Sequence, residues 1–276
     1  LGLCALSLVS LAQQPYPNRP VKIIVPFAAS GPADNYARFI AQRLQEALGQ
    51  SFVVDNRPGA GSIIGTDAVA KSAPDGYTLL MMSNTQTVNE SLIPVRPFNL
   101  LKDFVPIAPV NYSDLVLVAH PSVPAQNLPE LIKYAKANPG KINYASSGNG
   151  TPYHMAGELF KHMAGVNMTH IPYKGAGQST IDVIGGFVPL IIDSIAALKP
   201  HIDGGKLKGV AITSLKRSEV TPQIATFAEA GYAGFEASTW WGLLMPVRTP
   251  AAIIGTVSSW KPPAHSASAG STRAVP

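Results

Sequence analysis

Along most of this chain, short runs of β-branched and aliphatic residues alternate with longer stretches of helical periodicity, and turns of Gly, Pro, Ser or Asn separate them. Parallel strands need a crossover, and a helix is the usual one, so β-α-β alternation predicts a mainly parallel sheet flanked by helices. Val21-Lys-Ile-Ile-Val25 reads as the first buried strand, closed by Pro26. Asp34 opens a helix to Leu48 whose Ala37, Ile40, Leu44 and Leu48 share one face, with Gly49 as its stop. A second strand follows at 51–55, then a helix carrying Ile63, Ile64 and Ala68, then a third strand at 78–82.

The rhythm changes between Phe104 and His120, where extended stretches at 105–110 and 115–119 are split by Asn111-Tyr-Ser-Asp114. A first crossing between two lobes is placed here, and a return crossing at 218–227. Between them, helices at 128–138, 151–164, 178–184 and 195–203 alternate with strands at 141–145, 167–171, 188–193 and 208–213. The expectation is a two-lobed α/β protein, with lobe I formed by 13–111 plus 223–256 and lobe II by 112–222.

The 276 residues suffice for two modest domains, and 46% hydrophobic with 13% charged residues marks a globular chain. The net charge of +5 does not mark a nucleic-acid binder, because Lys and Arg form no stripe interleaved with aromatics; mild basicity suits capture of anions. The apolar segment 1–12 holds the one cysteine, Cys4, and is too short to span a membrane as a helix. Small Ser10 and Ala12 stand two apart, so 1–12 is expected to be a signal-peptide remnant and the mature protein exported, soluble and free of disulfides. Residues 257–276 are rich in Ser, Ala, Pro and Gly and are expected to be a disordered or aberrant tail.

Two turns each follow a strand, are rich in small residues and open a helix: Pro26-Phe-Ala-Ala-Ser-Gly-Pro-Ala-Asp34 and Ala145-Ser-Ser-Gly-Asn-Gly-Thr151, which runs into Pro152-Tyr-His154. Unpaired N–H groups at a helix start favour an anion, and ligands of open α/β sheets sit at the carboxyl ends of strands. Ser30, Ser146, Ser147 and Thr151 add hydroxyls, although Ser30, Asp34 and Thr151 also fit plain capping roles. With one turn in each lobe, a cleft between them could hold an anion from both sides. Tyr173-Lys-Gly-Ala-Gly177 is a third such turn, in which Lys174 could complement the anion or be simply solvated. Asp193 ends an apolar run, where it accepts a ligand's N–H or O–H or caps the next helix. Trp240-Trp241 reads as core or hinge packing.

No cofactor or metal is expected. Gly59-Ala-Gly-Ser-Ile-Ile-Gly65 misses the dinucleotide spacing, and His154, His162 and His170 recur every eight residues without an HExxH or a carboxylate cluster. The rival from another class is a secreted serine hydrolase using Ser147 with His154 as base, for which neither a matching acid nor a nucleophile elbow is present.

These turns, with Asn56-Arg-Pro-Gly-Ala-Gly61, Pro74-Asp-Gly-Tyr77 and Pro172-Tyr-Lys-Gly175, resemble the substrate-binding proteins of tripartite tricarboxylate transporters, the Bug family, from about Tyr16 to Pro250 with the motifs in order. The resemblance implies a type II periplasmic-binding-protein-like fold and a non-enzymatic, monomeric periplasmic receptor. Such a receptor captures a di- or tricarboxylate, amino acid or aromatic acid for integral-membrane permease subunits. It places the grip at Phe27, Ala28, Ala29, Ser30, Gly31 and Asp34 in one lobe and at Ser146, Ser147, Gly148, Gly150, Thr151 and His154 in the other. Ser83, Asn84, Thr85, Lys174, Gly175 and Asp193 complete the candidate set. Two departures stand out. Ser30 replaces the first glycine of a pair, which matters if it must adopt positive φ. The low-complexity end replaces helices that in the family pack on lobe I, so apolar surface is expected to be exposed there.

Overall fold

The computed structural model describes residues 15–259; the segments read as signal-peptide remnant and most of the expected tail lie outside them. The chain runs β1 (Val21–Val25), α1 (Pro32–Leu48), β2 (Phe52–Asn56), α2 (Ile63–Ala70), β3 (Thr78–Ser83), α3 (Asn84–Leu92), α4 (Leu100–Asp103) and β4 (Phe104–Ala119). It continues with α5 (Leu128–Ala137), β5 (Ile142–Ser146), α6 (Pro152–Ala164), β6 (Met168–Pro172), α7 (Ala176–Ile184), β7 (Leu190–Ser194), α8 (Ile195–Asp203), β8 (Lys208–Ile212), β9 (Ser238–Pro246) and α9 (Ala251–Ser258).

The strands follow the order β2-β1-β3-β9-β4-β7-β5-β6, with β8 also on β4. Within the halves the pairs β1–β2, β1–β3, β5–β6 and β5–β7 are parallel. The antiparallel pairs all involve β4 or β9, the strands that join the halves. The first part of β4 pairs β9, from Phe104 with Pro246 to Asp114 with Ser238, and its last five residues pair β7, from Leu115 with Ser194 to Ala119 with Leu190. The stretch around Asn111-Tyr-Ser-Asp114, read as a break, is instead the middle of one continuous strand. Pro106 and Pro109, inside its first half, are accommodated by register shifts at Pro106/Ala108 and Pro109/Asn111.

Each lobe has apolar packing on both sheet faces, which is why its strands are almost continuously hydrophobic. In lobe I, Ile23 and Val25 face α1 residues Ala37, Ile40 and Leu44, while Ile24 faces the opposite cluster with Val69, Leu80 and Phe104. In lobe II, Leu115 and Leu117 join Phe160, Phe227 and Phe235, while Val116 and Val118 pack with Val183 and Leu198. Phe227 and Phe235 stack at 3.8 Å inside this second core. The first helix ends as its sequence dictates, with Gly49 at φ 69° and its N–H bonded to the Gln45 carbonyl. At the other end of the chain, α9 reaches Ser258 and buries Val257 in the lobe I core, so the helix extends into the start of the expected tail.

Gly65 shows what its glycine-rich segment does instead of binding a nucleotide. A Cβ there would lie 2.8 Å from the Arg57 carbonyl oxygen and 2.8 Å from Pro26 Cα, both backbone atoms. Gly65→Ala therefore forces α2 away from the β1 turn, and urea unfolding should show a loss of about 1–3 kcal/mol, the usual cost of overpacking; unchanged stability contradicts the close approach.

Candidate functional site

The carboxyl ends of β1, β5 and β6 deliver three turns to the gap between the lobes. Gly31 and Pro32 start α1 with no side chain capping the first turn, so its leading amides are left without intrahelical partners. Ser30 adopts φ 68°, the conformation that its replacement of glycine put in question. Its amide donates to Asp34 Oδ2 at 2.9 Å, and Arg38 Nε binds the same oxygen at 3.0 Å. Burial opposes ionisation of Asp34, but the hydrogen bonds from Arg38, Ser30 and Asn56 hold its carboxyl below the usual range. Asp34 thus fixes the turn.

Across the gap, Gly148 (φ 131°) and Gly150 (φ 74°) let the second turn fold tightly against α6. Ser146 Oγ accepts from the Gly148 amide at 3.1 Å and lies 2.7 Å from His170 Nε2. Thr151 Oγ1 donates to the Gly148 carbonyl at 2.7 Å and caps α6 by accepting from the His154 amide. His154 Nδ1 accepts from the Gly150 amide at 3.2 Å, and its ring stacks on His170 at 4.1 Å. Burial, followed by the neighbouring His154, pushes His170 down to about 4; burial also lowers His154. Both rings are therefore neutral at neutral pH and support the turn from beneath. No hydrogen bond joins Ser147 to His154 among the described residues, which leaves the hydrolase reading without its first contact.

The two sides meet. The Ala28 amide donates to the Lys174 carbonyl at 3.2 Å, and a Cβ on Gly31 or Gly175 would lie 3.5 Å from the Ala176 nitrogen or 3.0 Å from Ala28 Cβ. A cavity of about 10 Å³, roughly room for one water, remains between them. Of the expected residues, Phe27, Ala28, Gly31, Ser147 and Gly175 line it, joined by Pro32, Ala33, Tyr153, Ala176 and Trp241. Ala29 and Ser30 lie against Gly177 on the facing turn, and Lys174 contributes its carbonyl while its side chain is exposed.

Other expected residues are engaged locally. Ser83 caps α3 in a reciprocal capping box with Gln86. Asn84 donates to the Ser238 carbonyl at 2.9 Å, tying α3 to the start of β9. Thr85 is buried with its hydroxyl unpartnered. Asp193 lies outside the cavity lining, with none of its surface exposed. Its Oδ1 accepts from the Ser194 amide at 2.6 Å while Oδ2 has no partner. Burial pushes its carboxyl up to about 7, against the opposing pull of Ser194 and Tyr153.

Two residues that sequence reasoning did not place at the site now stand in its wall. Tyr153 Oη and Trp241 Nε1 are buried donors without hydrogen-bond partners, and both side chains line the cavity. The Tyr153 hydroxyl sits within electrostatic reach of Asp193 and Thr239 without a direct bond of ordinary geometry, and Trp241 packs edge-on against Phe27 at 5.7 Å. Tyr153 had one signal, its position immediately after the second turn; Trp241 stood out in the sequence only as core or hinge packing, because its strand acquires its place by pairing with β3 and β4. Among the described residues there is no group of three His, Cys, Asp or Glu able to hold a metal, and no helix long and apolar enough to cross a membrane.

The chain matches the family described as tripartite tricarboxylate transporter family receptor over residues 36–269. It is 44% identical to Protein BugT of Bordetella pertussis over 241 residues, which is 87% of this chain and 74% of that protein. Among solved structures, the periplasmic binding protein BugD superposes with a TM-score of 0.84 at 38% identity, covering 88% of this chain and 81% of that one. Rpa4515 of R. palustris with adipate gives a TM-score of 0.86 at 35% identity, covering 88% and 82%.

Proposed function

Because this chain belongs to the tripartite tricarboxylate transporter receptor family, we propose that it is a periplasmic solute receptor that captures a small carboxylate by closing two lobes and delivers it to the permease of such a transporter. The observation that carries this reading is the direct apposition of the β1–α1 turn with the β5–α6 and β6–α7 turns around one small cavity. Residues from both sides line it, with the α1 start on one and Ser147 and Tyr153 on the other, so an anion bound between them gains more from the closed arrangement than from the open one, and closure follows from that difference. A relative seen with adipate is consistent with a carboxylate as the ligand class.

An acid of several carbons exceeds a cavity of about 10 Å³, so the lobes must part to admit it. β4 and β9 run side by side through both crossings and are the natural hinge. On this reading lobe I is 15–113 with 239–259, and lobe II is 114–238, because Phe227 and Phe235 belong to the second core. The contact set is then the cavity-lining part of the expected residues together with Tyr153 and Trp241.

The test is a thermal-shift panel of mono-, di- and tricarboxylates on the purified protein. A cognate acid at a hundred times its dissociation constant adds about 2.7 kcal/mol of stability and raises the melting temperature by several degrees. A sample that melts cooperatively but is stabilised by no carboxylate overturns the proposal.

A further inference from the structure

Behind the cavity wall, next to its lining residue Tyr153, lies a buried carboxyl that carboxylate capture does not by itself require. Asp193 ends β7 with no exposed surface, and its Oδ2 has no hydrogen-bond partner. A buried ionised carboxylate ordinarily sits beside a cation, whereas the groups acting on Asp193 are its burial and hydrogen-bonding contributions from Ser194 and Tyr153. Tyr36, from α1, faces it by charge, and Thr239, from β9, acts on Tyr153. Among the described residues, Tyr153 is therefore the side chain that both lines the cavity and acts on Asp193.

A phenol has one proton and can present it in one direction at a time. When Asp193 is ionised, its oxygens can only accept, so Tyr153 turns its proton back toward Asp193 and offers lone pairs to the cavity. When Asp193 carries a proton it can donate to Tyr153, and the phenol proton is released toward the cavity. Resting on the carboxylate-capture reading above, we propose that Asp193 and Tyr153 form a polarity relay that sets which second group of the ligand is accepted: an oxygen acceptor such as another carboxylate when Asp193 is protonated, a donor such as an ammonium when it is ionised. The relay converts one buried proton into a choice between diacids and amino acids.

Its position in pH follows from burial, which places the Asp193 midpoint at about 7. The nearby titratable groups are moved by burial as well: Tyr153 and Tyr36 are raised from the ordinary phenol value, and His154 and His170 are lowered from theirs, His170 to about 4.

Succinate and 4-aminobutyrate are suitable probes, having four carbons each, one carboxylate end in common and opposite far ends. Titration calorimetry at about pH 6 and about pH 8 should show succinate affinity falling about tenfold and 4-aminobutyrate affinity rising about tenfold, the change in population of each form across one unit either side of the midpoint. Both slopes should flatten in Asp193→Asn, which cannot ionise, and in Tyr153→Phe, which keeps the carboxyl but has no proton to redirect. Parallel slopes for the two probes, or opposed slopes that persist in Tyr153→Phe, overturn the relay. If the acid panel yields binders but neither probe binds at any pH, the relay falls alone. If no carboxylate of any kind binds, the receptor reading falls and takes the relay with it.

Discussion

A Gly175→Val variant should bind its cognate acid about tenfold to a hundredfold more weakly than the parent, while the ligand-free proteins melt at nearly the same temperature. Gly175 has φ 161° and ψ 169°, extended backbone that any residue adopts, so the substitution brings no local strain. What it brings is bulk on the closing surface. A Cβ at this position would lie 3.0 Å from Ala28 Cβ and 3.3 Å from the Ala28 nitrogen, and the valine methyls reach further. Overpacking of this kind costs about 1–3 kcal/mol, and about 1.4 kcal/mol is one decade of affinity. The cost is charged to the closed state, since the atoms that collide belong to turns from opposite lobes. Gly175→Ala, with a single methyl, should fall between parent and valine. Calorimetric titration with an acid from the panel measures the series, and an affinity independent of side-chain size at 175 shows that these turns do not need to meet.

The second large effect is on stability. Asp193→Asn should be more stable than the parent at pH 8, with the difference vanishing as the pH falls toward 4. A carboxyl raised from its ordinary value to about 7 in the folded protein keeps a proton that the unfolded chain has already lost. Over that interval the folded state binds more protons, so stability of the parent declines as pH rises through it and levels off once both states are ionised. Each unit of displacement is worth about 1.4 kcal/mol, so the whole loss is on the order of 4 kcal/mol. Asparagine has the shape of the protonated acid and no charge to desolvate, so it escapes the decline. Urea unfolding of both proteins between about pH 4 and about pH 8 gives the two curves; parallel curves exclude a strongly raised Asp193.

Several elements were legible without a structure because their determinants are local. The run Val21 to Val25 and the periodicity of Ala37, Ile40 and Leu44 gave β1 and α1, and the turn at Gly49 fixed where the helix stops. By contrast, α3 was not readable, because its buried face is polar: Thr85, Gln86 and Asn89 are buried in place of an apolar stripe. Gln86 donates to Thr66 Oγ1 and Asn89 to the Gly61 carbonyl, partners more than a dozen residues away. β4 was read as two pieces because the polar run Asn111-Tyr-Ser-Asp114 looks like a loop until β9 pairs with it, from Asn111 with Trp241 to Asp114 with Ser238. The candidate site divided in the same way. The turns at 26–31 and 146–151 announced themselves by small residues before helix starts, whereas Asp34, Ser83 and Asn84 have their side chains committed within the fold.

The amino-acid order alone determined the alternation of strand and helix, where most helices begin and end, and the chemistry of amide-rich turns suited to an anion, because each depends on residues within a few positions of one another. Only the tertiary structure decided that β4 and β9 thread both halves, that the turns of opposite lobes touch, and that Tyr153, Trp241 and Asp193 gather behind them. Those outcomes depend on sheet register and on burial between segments far apart in the chain, and local pattern carries no record of which distant backbone will come to lie against it.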